Sequence, residues 1–271
     1  MRVAIAQCNS GTDPDRNLAL VAEFTERAAA DDADLVIFPE AMMCRFGVPL
    51  RDVAEPLDGP WASGVAAVAQ RTGVAVIAGM FTPAADGRIA NTLVIAVPGR
   101  PVRGYDKIHL YDAFGFTESR TVAPGAEPVT VEIAGHRVGV ATCYDIRFPA
   151  LFVELAQRGA ELIAVPASWG AGPGKQEQWE LLASARALDS ATFVAAVGQA
   201  LPDDPEAAGG TAPTGIGHSR ISDPFGSVVA VHGPETSLGV HEIDLSVVGK
   251  ARAASAVLAN RRDIPRADPT D

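Results

Sequence analysis

The stretch 136-HRVGVATCYDIRFPALFVELAQRGAELIAVPASW-169 leaves this chain few folds to choose from. It reads as a strand over Arg137–Thr142 that delivers Cys143, a helix opened by Pro149, and a strand over Glu161–Val165 closed by Pro166. Proline suits the first turn of a helix, where a missing N–H breaks no bond. Strand, helix and strand in that order make a β-α-β unit, whose two strands run parallel in one sheet. The N-terminal region repeats the pattern: RVAIAQC at 2–8 parallels RVGVATC at 137–143, and ADLVIFPE at 33–40 parallels AELIAVPA at 160–167. Two β-α-β halves in one sheet system are expected, not a solenoid. In that match Cys8 stands opposite Cys143, and Glu40 stands opposite Ala167.

The rest of the chain fits around these units. Helical spacing predicts helices over Asp15–Ala30, Trp61–Arg71 (ended by Gly73), Gln176–Asp189 and about Ser246–Leu258. Strands are predicted at Arg2–Gln7, Leu35–Phe38, Val74–Gly79, Ala90–Val97, Val129–Ile133, Ala191–Val197, Gly217–Ser222, Gly226–Ala230 and Leu238–Ile243. Residues 42–56 read as a loop broken by a helical turn, and 201–213 as a mobile surface loop. A polar tail begins at Asn260. The segment 104-GYDKIHLYDAFGFTESRTVAPG-125 is aromatic and charged without a clean period, and loops of that length in a compact domain usually carry function.

With 271 residues, 48% of them hydrophobic, the expectation is a single α/β domain spanning 1–271. A formal charge of -11 argues against a nucleic-acid partner, since phosphate binding needs concentrated Lys and Arg. It gives no attraction to an anionic membrane either. The opening MRVAIAQC enters a strand directly and no long apolar span follows, so a soluble cytoplasmic protein is expected. Cys8, Cys44 and Cys143 are too few and too scattered for a disulfide framework, and no His/Cys cluster predicts a metal.

Chemistry is expected at the C-terminal ends of the strands. Cys143 is either a core cysteine or a nucleophile near the N–H groups of the next turn, and its position does not choose. Glu40 follows a buried strand directly, and Lys107 lies in the unusual loop. Together the three form a coherent set: a thiol to attack, a carboxylate to take its proton, and an ammonium to hold a tetrahedral oxyanion. His109 is a rival base of the Cys–His type that spacing alone leaves open.

At these residues the chain resembles the nitrilase superfamily of carbon–nitrogen hydrolases. The match runs through Glu40 in LVIFPE, Lys107 in YDKIHL and Cys143 in TCYDIRFP, and covers essentially the whole chain from MRVAIAQ to 260-NRRDIPR-266. The resemblance implies a Glu–Lys–Cys triad, with Glu118 in GFTESRTVAPG as a second glutamate that holds the lysine and the substrate amide. It also implies a four-layer α-β-β-α sandwich that pairs into an αββα-αββα homodimer, with the segment from about 246, including Arg261 and Arg262, reaching toward the partner. No metal or organic cofactor is implied; the partners are a small amide and water. CYDIRFP, with Tyr144-Asp145 after the cysteine, is the form seen in amidases acting on deaminated glutathione and 2-oxoglutaramate. That points to hydrolysis of the terminal amide of a small carboxylated 2-oxo compound to acid and ammonia through a thioester, with deaminated glutathione ahead of 2-oxoglutaramate. The Tyr144 N–H would share the oxyanion. Arg147 would bind a substrate carboxylate or else pair with Asp145 or a loop carbonyl, and Phe116 and Trp169 would wall the pocket. The family's Arg-Ala-x-Glu-Asn segment reads 186-RALDS-190 here, so Asp189 and Ser190 depart from it. Competing readings are a binding protein that has kept the fold and an N-carbamoyl amidohydrolase on the same scaffold.

Overall fold

A computed structural model describes residues 1–203 and 209–262. The first sheet contains β1 (Arg2–Gln7), β2 (Leu35–Ile37), β3 (Ala75–Pro83), β4 (Ile89–Ala96), β5 (Arg103–Asp106) and the short β6 (Val122–Ala123). The second contains β7 (Thr130–Ile133), β8 (His136–Val140), β9 (Leu162–Ala167), β10 (Phe193–Gly198), β11 (Arg220–Ser222) and β12 (Val228–Val231). The chain then returns to the first sheet as β13 (Ser237–Glu242), antiparallel to β1. The helices are α1 (Pro14–Ala30), α2 (Pro60–Thr72), α3 (Pro149–Gln157), α4 (Lys175–Ser190) and α5 (Ser246–Ser255).

The two sheets share one plan. β13-β1-β2-β3-β4-β5 and β7-β8-β9-β10-β11-β12 each run as one antiparallel strand, three parallel strands and two more antiparallel strands. Val3 pairs with Leu35 in one, Val138 with Leu162 in the other. The repeat seen in the sequence therefore keeps its register in space, and Cys8 matches Cys143 as Glu40 matches Ala167.

Alternation along the strands builds the layers. Val3 and Ile5 on β1 pack with Val138, Val140, Leu162 and Ala164 between the sheets. Ala4 and Ala6 turn outward onto Val21 and Phe24 of α1, and Val36 and Val76 meet Trp61 and Val65 of α2 in the same layer. On the far side Ile163, Val165, Val194 and Ala196 pack on Leu151 and Phe152 of α3 and Trp179 and Ala183 of α4. Strands buried on both faces read as unbroken apolar runs, which is why they stand out in the sequence. The result is an α-β-β-α sandwich.

Local signals account for the helix ends. Asp13 caps α1, accepting from the N–H groups of Asp15 and Arg16, with Pro14 just inside. Gly73 ends α2 at a φ of +76°.

Three expectations need correction. The stretch 104–125 is not one long loop, because β5 and β6 lie within it and Tyr105 is buried between the sheets. β5 buries only Tyr105 and carries an exposed charge at each end, Arg103 and Asp106, so its charges hide the strand. Pro166 does not close β9, which runs to Ala167 and pairs Pro166 with Val197. The side of Pro166 that lacks an N–H faces β8, whose pairing has already stopped at Ala164. Finally α5, which buries Val248 in the inter-sheet core and donates from Arg252 to Ala160 O at 2.6 Å, is shorter than expected. It ends at Ala256, whose φ is +50°, short of Leu258. Of the expected surface loop, 204–208 lie outside the described residues, as does the tail beyond 262.

Candidate active site

The C-terminal ends of the parallel strands from both sheets meet at one place. Glu40 follows β2 through Pro39, and Ala41 then takes a φ of +58° to turn the chain back. That turn sits against Gly79 of β3 so closely that a Cβ there would lie 2.8 Å from Glu40 C and Cα. Glycine is the residue that permits such an approach. Gly79 N–H donates to Pro39 O at 3.1 Å and Met43 N–H to Gly79 O at 2.8 Å, so β3 fixes the turn. Gln199, just past β10, donates to Glu40 O at 2.9 Å and binds Ser10 after β1.

The Glu40 carboxylate is buried and fully engaged. Ser168 N–H donates to Oε2 at 2.7 Å, and Asn91 Nδ2 and Lys107 Nζ donate to Oε1 at 2.8 and 3.1 Å. Lys107 leaves β5 with its N–H on Asn91 O and its carbonyl accepting from Gly125 N–H, both 2.8 Å. Its ammonium lies between Glu40 and Glu118, reaching Glu118 Oε2 at 3.0 Å. Burial alone would pull the Lys107 pKa down, but Glu40, Glu118 and Cys143 together outweigh it and hold the ammonium well above the usual lysine range. Asn91 also donates to Glu118 at 3.2 Å, and Tyr111 N–H at 2.6 Å.

Cys143 comes three residues after Val140, the end of β8, and starts a 3-10 turn over Cys143–Arg147. Its φ is +46°, an unusual conformation for a side-chain-bearing residue and one that surrounding contacts must impose. Asp145 imposes them. It is fully buried and accepts from Thr142 N–H at 2.9 Å, Tyr105 Oη at 2.6 Å and His109 N–H at 2.9 Å, with His109 Nδ1 at 2.7 Å. Arg186 of α4 supports the turn from behind, donating to Ile146 O at 3.1 Å. Burial, then the adjacent Glu40 carboxylate, push the Cys143 thiol well above its ordinary value, with Lys107 opposing them. A thiol held up in this way depends on a neighbouring base to become a thiolate.

Cys143, Glu40, Lys107 and Glu118 share a cavity of about 270 Å³. Tyr111, Phe116, Tyr144, Arg147, Trp169 and Lys175 line it, together with the apolar Phe46, Leu50, Val122, Ala212 and Pro213. Tyr144, Arg147, Trp169 and Phe116, the residues expected around the substrate, thus lie on its wall. His109 does not: its ring stacks on Phe148 with centroids 3.7 Å apart, and its Nδ1 faces Asp145. His109 is instead engaged, through Asp145, in the turn that carries Cys143. Arg147 does not pair with Asp145 but donates to Gln178 Oε1 at 2.6 Å. In RALDS, Asp189 pairs with Arg186 at 2.9 Å and Ser190 Oγ donates to Arg186 O at 2.7 Å, so both departures serve the supporting arginine.

Asn91, Gln199 and Lys175 were not singled out from the sequence. A buried Asn inside IANTLVIA is a legible signal, since a polar amide in a doubly buried strand needs partners. Among the described residues no group of three or more His, Cys, Asp or Glu is placed to hold a metal, and no helix is long and apolar enough to cross a membrane.

Residues 2–253 match the family described as carbon-nitrogen hydrolase. The chain belongs to that family. A Mycobacterium tuberculosis protein named only as a hydrolase is 59% identical to this carbon-nitrogen hydrolase over 99% of this chain and 98% of its own. The deaminated glutathione amidase of Escherichia coli O157:H7 is 34% identical over 98% of each. Among solved structures, a CN-hydrolase superfamily protein of Xanthomonas campestris with an arsenic adduct in its active site superposes with a TM-score of 0.85 at 25% identity, over 98% of this chain and 99% of that one. This carbon-nitrogen hydrolase is accordingly an enzyme acting on amides.

Proposed function

We propose that the chain is a cysteine-dependent amidase that cleaves the distal amide of a small carboxylated 2-oxo compound through a thioester. The observation that carries the reading is the placement of a buried Glu40–Lys107–Cys143 cluster and the Arg147 guanidinium on the wall of one cavity. Arg147 meets a neutral amide oxygen, not a carboxylate, and its charge is left for a ligand.

Glu40 takes the proton from Cys143 Sγ, which attacks the amide carbon. An ammonium has three N–H bonds; Lys107 gives two to Glu40 and Glu118, and the third serves the oxyanion together with the Tyr144 N–H. Glu118 holds Lys107 in that pose. Collapse expels the amine, protonated by Glu40, and leaves an acyl thioester. Glu40 then deprotonates the water that hydrolyses it, and Cys143 recovers its proton. No step calls for a metal or an organic cofactor.

The leaving group depends on the substrate. In deaminated glutathione the distal amide joins a 2-oxoglutaryl group to cysteinylglycine, so that dipeptide leaves, whereas 2-oxoglutaramate releases ammonia. The expectation of ammonia therefore fits the second compound, and a shared 2-oxo acyl group fits both. Likeness to the deaminated glutathione amidase over almost the full length favours the first.

The assembly inferred is a cytoplasmic homodimer. Leu181 and Leu188 on α4 and Phe225, Val228, Val229 and Val231 beside them are exposed apolar side chains that a second copy would cover. Sedimentation as a monomer at micromolar concentration would refute it.

The test of function is the ratio of kcat/KM values for deaminated glutathione (cysteinylglycine release), 2-oxoglutaramate (ammonia release), an N-carbamoyl β-amino acid, a nitrile and glutamine. Deaminated glutathione is expected to lead. A tenfold preference for the carbamoyl compound or the nitrile overturns the reading, and a lead for 2-oxoglutaramate reassigns the chain as an omega-amidase.

A further inference from the structure

Lys175, the first residue of α4, is a second cation on the cavity wall. Its Nζ lies 3.6 Å from the centroid of the Phe114 ring and 3.2 Å from Tyr111 Oη, with the Tyr111 and Trp169 rings at 5.6 and 5.8 Å. Trp169 Nε1 donates to Lys175 O at 2.9 Å, tying its backbone to the wall. Among the described residues no carboxylate lies within ion-pair distance of Lys175 or of Arg147. Arg147 Cζ stands over two of the same rings, Trp169 at 5.2 Å and Phe114 at 5.9 Å. Two cations are thus held in one aromatic cage with no anion between them.

We propose that Lys175 is the residue that makes the cavity select an amide bearing a carboxylate at the far end of its acyl chain, with Arg147 as its companion. This rests on the amidase reading above. A carboxylate is the ligand that the pair lacks: it relieves their mutual repulsion and accepts from both. Burial and the Arg147 charge lower the Lys175 pKa, the strain expected of an ammonium awaiting its counter-ion. Phe114 forms a cover on the outer side. It is 65% exposed and has a φ of +54° just before Gly115, so the loop presents its ring to the ammonium, not to the core. A ring over one face of the ammonium limits water there while leaving N–H bonds free toward the cavity. The cations and Cys143 line one cavity, so a ligand that spans it has its amide at the sulfur and its carboxylate at Lys175.

The experiment compares glutaramate with pentanamide, five-carbon amides that differ in whether the far end is a carboxylate or a methyl group. The measured quantity is the ratio of their kcat/KM values. Wild-type protein is expected to favour glutaramate, and Lys175→Met to lower the ratio by roughly 10- to 100-fold, mainly through KM for glutaramate, as loss of a charge-assisted contact does. Lys175→Arg should retain most of the preference. An unchanged ratio in Lys175→Met, with wild type still favouring glutaramate, overturns the role of Lys175 and leaves the amidase reading standing. A wild type indifferent to the carboxylate overturns both. Lys175→Gln provides the same comparison if the methionine variant folds poorly.

Discussion

Gly79→Ala is the substitution whose consequence can be worked most directly from the geometry. The added methyl would stand 2.8 Å from Glu40 C and Cα and closer still to Ala41 N. All three are backbone atoms, so no side chain can swing away. Restoring an ordinary contact near 3.4 Å to the Ala41 nitrogen, the nearest of the three, requires a shift of about 1 Å in the Glu40–Ala41 turn or in β3. β3 is held through parallel pairing to β2 and eight antiparallel pairs to β4, so the turn should give first. Glu40 would then move against the bonds from Ser168, Asn91 and Lys107, which lie between 2.7 and 3.1 Å. Overpacking of this kind costs about 1–3 kcal/mol of stability. Misplacing a catalytic group by about 1 Å costs on the order of 10²-fold in rate, so kcat should fall by roughly tenfold to a hundredfold, depending on how the turn and β3 share the shift. KM should change little, since Arg147 and Lys175 stand on other elements. Steady-state kinetics and thermal melting of the purified variant check both numbers. A Gly79→Ala protein with wild-type kcat would show that the turn tolerates the methyl and that Glu40 is not held by this approach.

Cys143→Ala should abolish turnover with little change in melting temperature, because it removes the nucleophile and a small volume; retained amidase activity would refute the covalent route. Iodoacetamide at pH 7 should label Cys143 ahead of Cys8 and Cys44, and Glu40→Gln should slow that labelling at least about tenfold, since a thiol with a raised pKa depends on its base. Labelling of Glu40→Gln at the wild-type rate would mean that the thiolate forms without Glu40. Lys107→Met leaves Glu40 and Glu118 facing one amide with no cation, so one carboxyl should take up a proton and its folded-state pKa should rise. Stability from a raised pKa is present at low pH and lost as pH rises, so the melting deficit should widen from pH 5 to pH 8, reaching about 3–5 kcal/mol. In wild type the raised Lys107 pKa keeps its contribution intact below the usual lysine value of 10.5, and a pH-independent deficit in the variant would refute the argument.

What the sequence disclosed and what it hid follow from burial and contact distance. Doubly buried strands are written as apolar runs, so β1, β2, β8 and β9 and the repeat that relates them were legible, with Glu40 and Cys143 at their ends. β5 was hidden because exposed charges, Arg103 and Asp106, stand at both its ends; Lys107 just after it drew notice as part of a charged, aromatic segment, and Glu118 entered through the family resemblance. The contacts that hold the cluster join residues far apart in the chain, such as Asn91 to Glu40 and Gln199 to Ser10. No local pattern encodes such a pairing. Lys175 follows a glycine-rich turn and reads as a surface lysine until the rings of Tyr111, Phe114 and Trp169 are seen around it.

The duplicated plan makes the asymmetry of the chemistry explicable. Each half offers the same two strand-end positions, 8 with 40 and 143 with 167, and one of each pair is used. At the end of β1 the chain runs on to Ser10, whose N–H and hydroxyl are taken by Gln199 and Ala41 O. Cys8 is left under Met42, its Sγ 3.6 Å from the Met42 sulfur, and burial pushes its thiol up to about 12. At the end of β8 Asp145 instead pulls the chain into a tight turn, and Cys143 faces the cavity. On the proposed mechanism the base comes from the other half, because Ala167 at the matching position has no group that can accept a proton. Ser168 next to it donates its N–H to Glu40 across the sheet interface. On that reading neither half holds nucleophile and base together. The cluster exists where the two units abut, so the packing between the sheets sets the distance from Glu40 to Cys143.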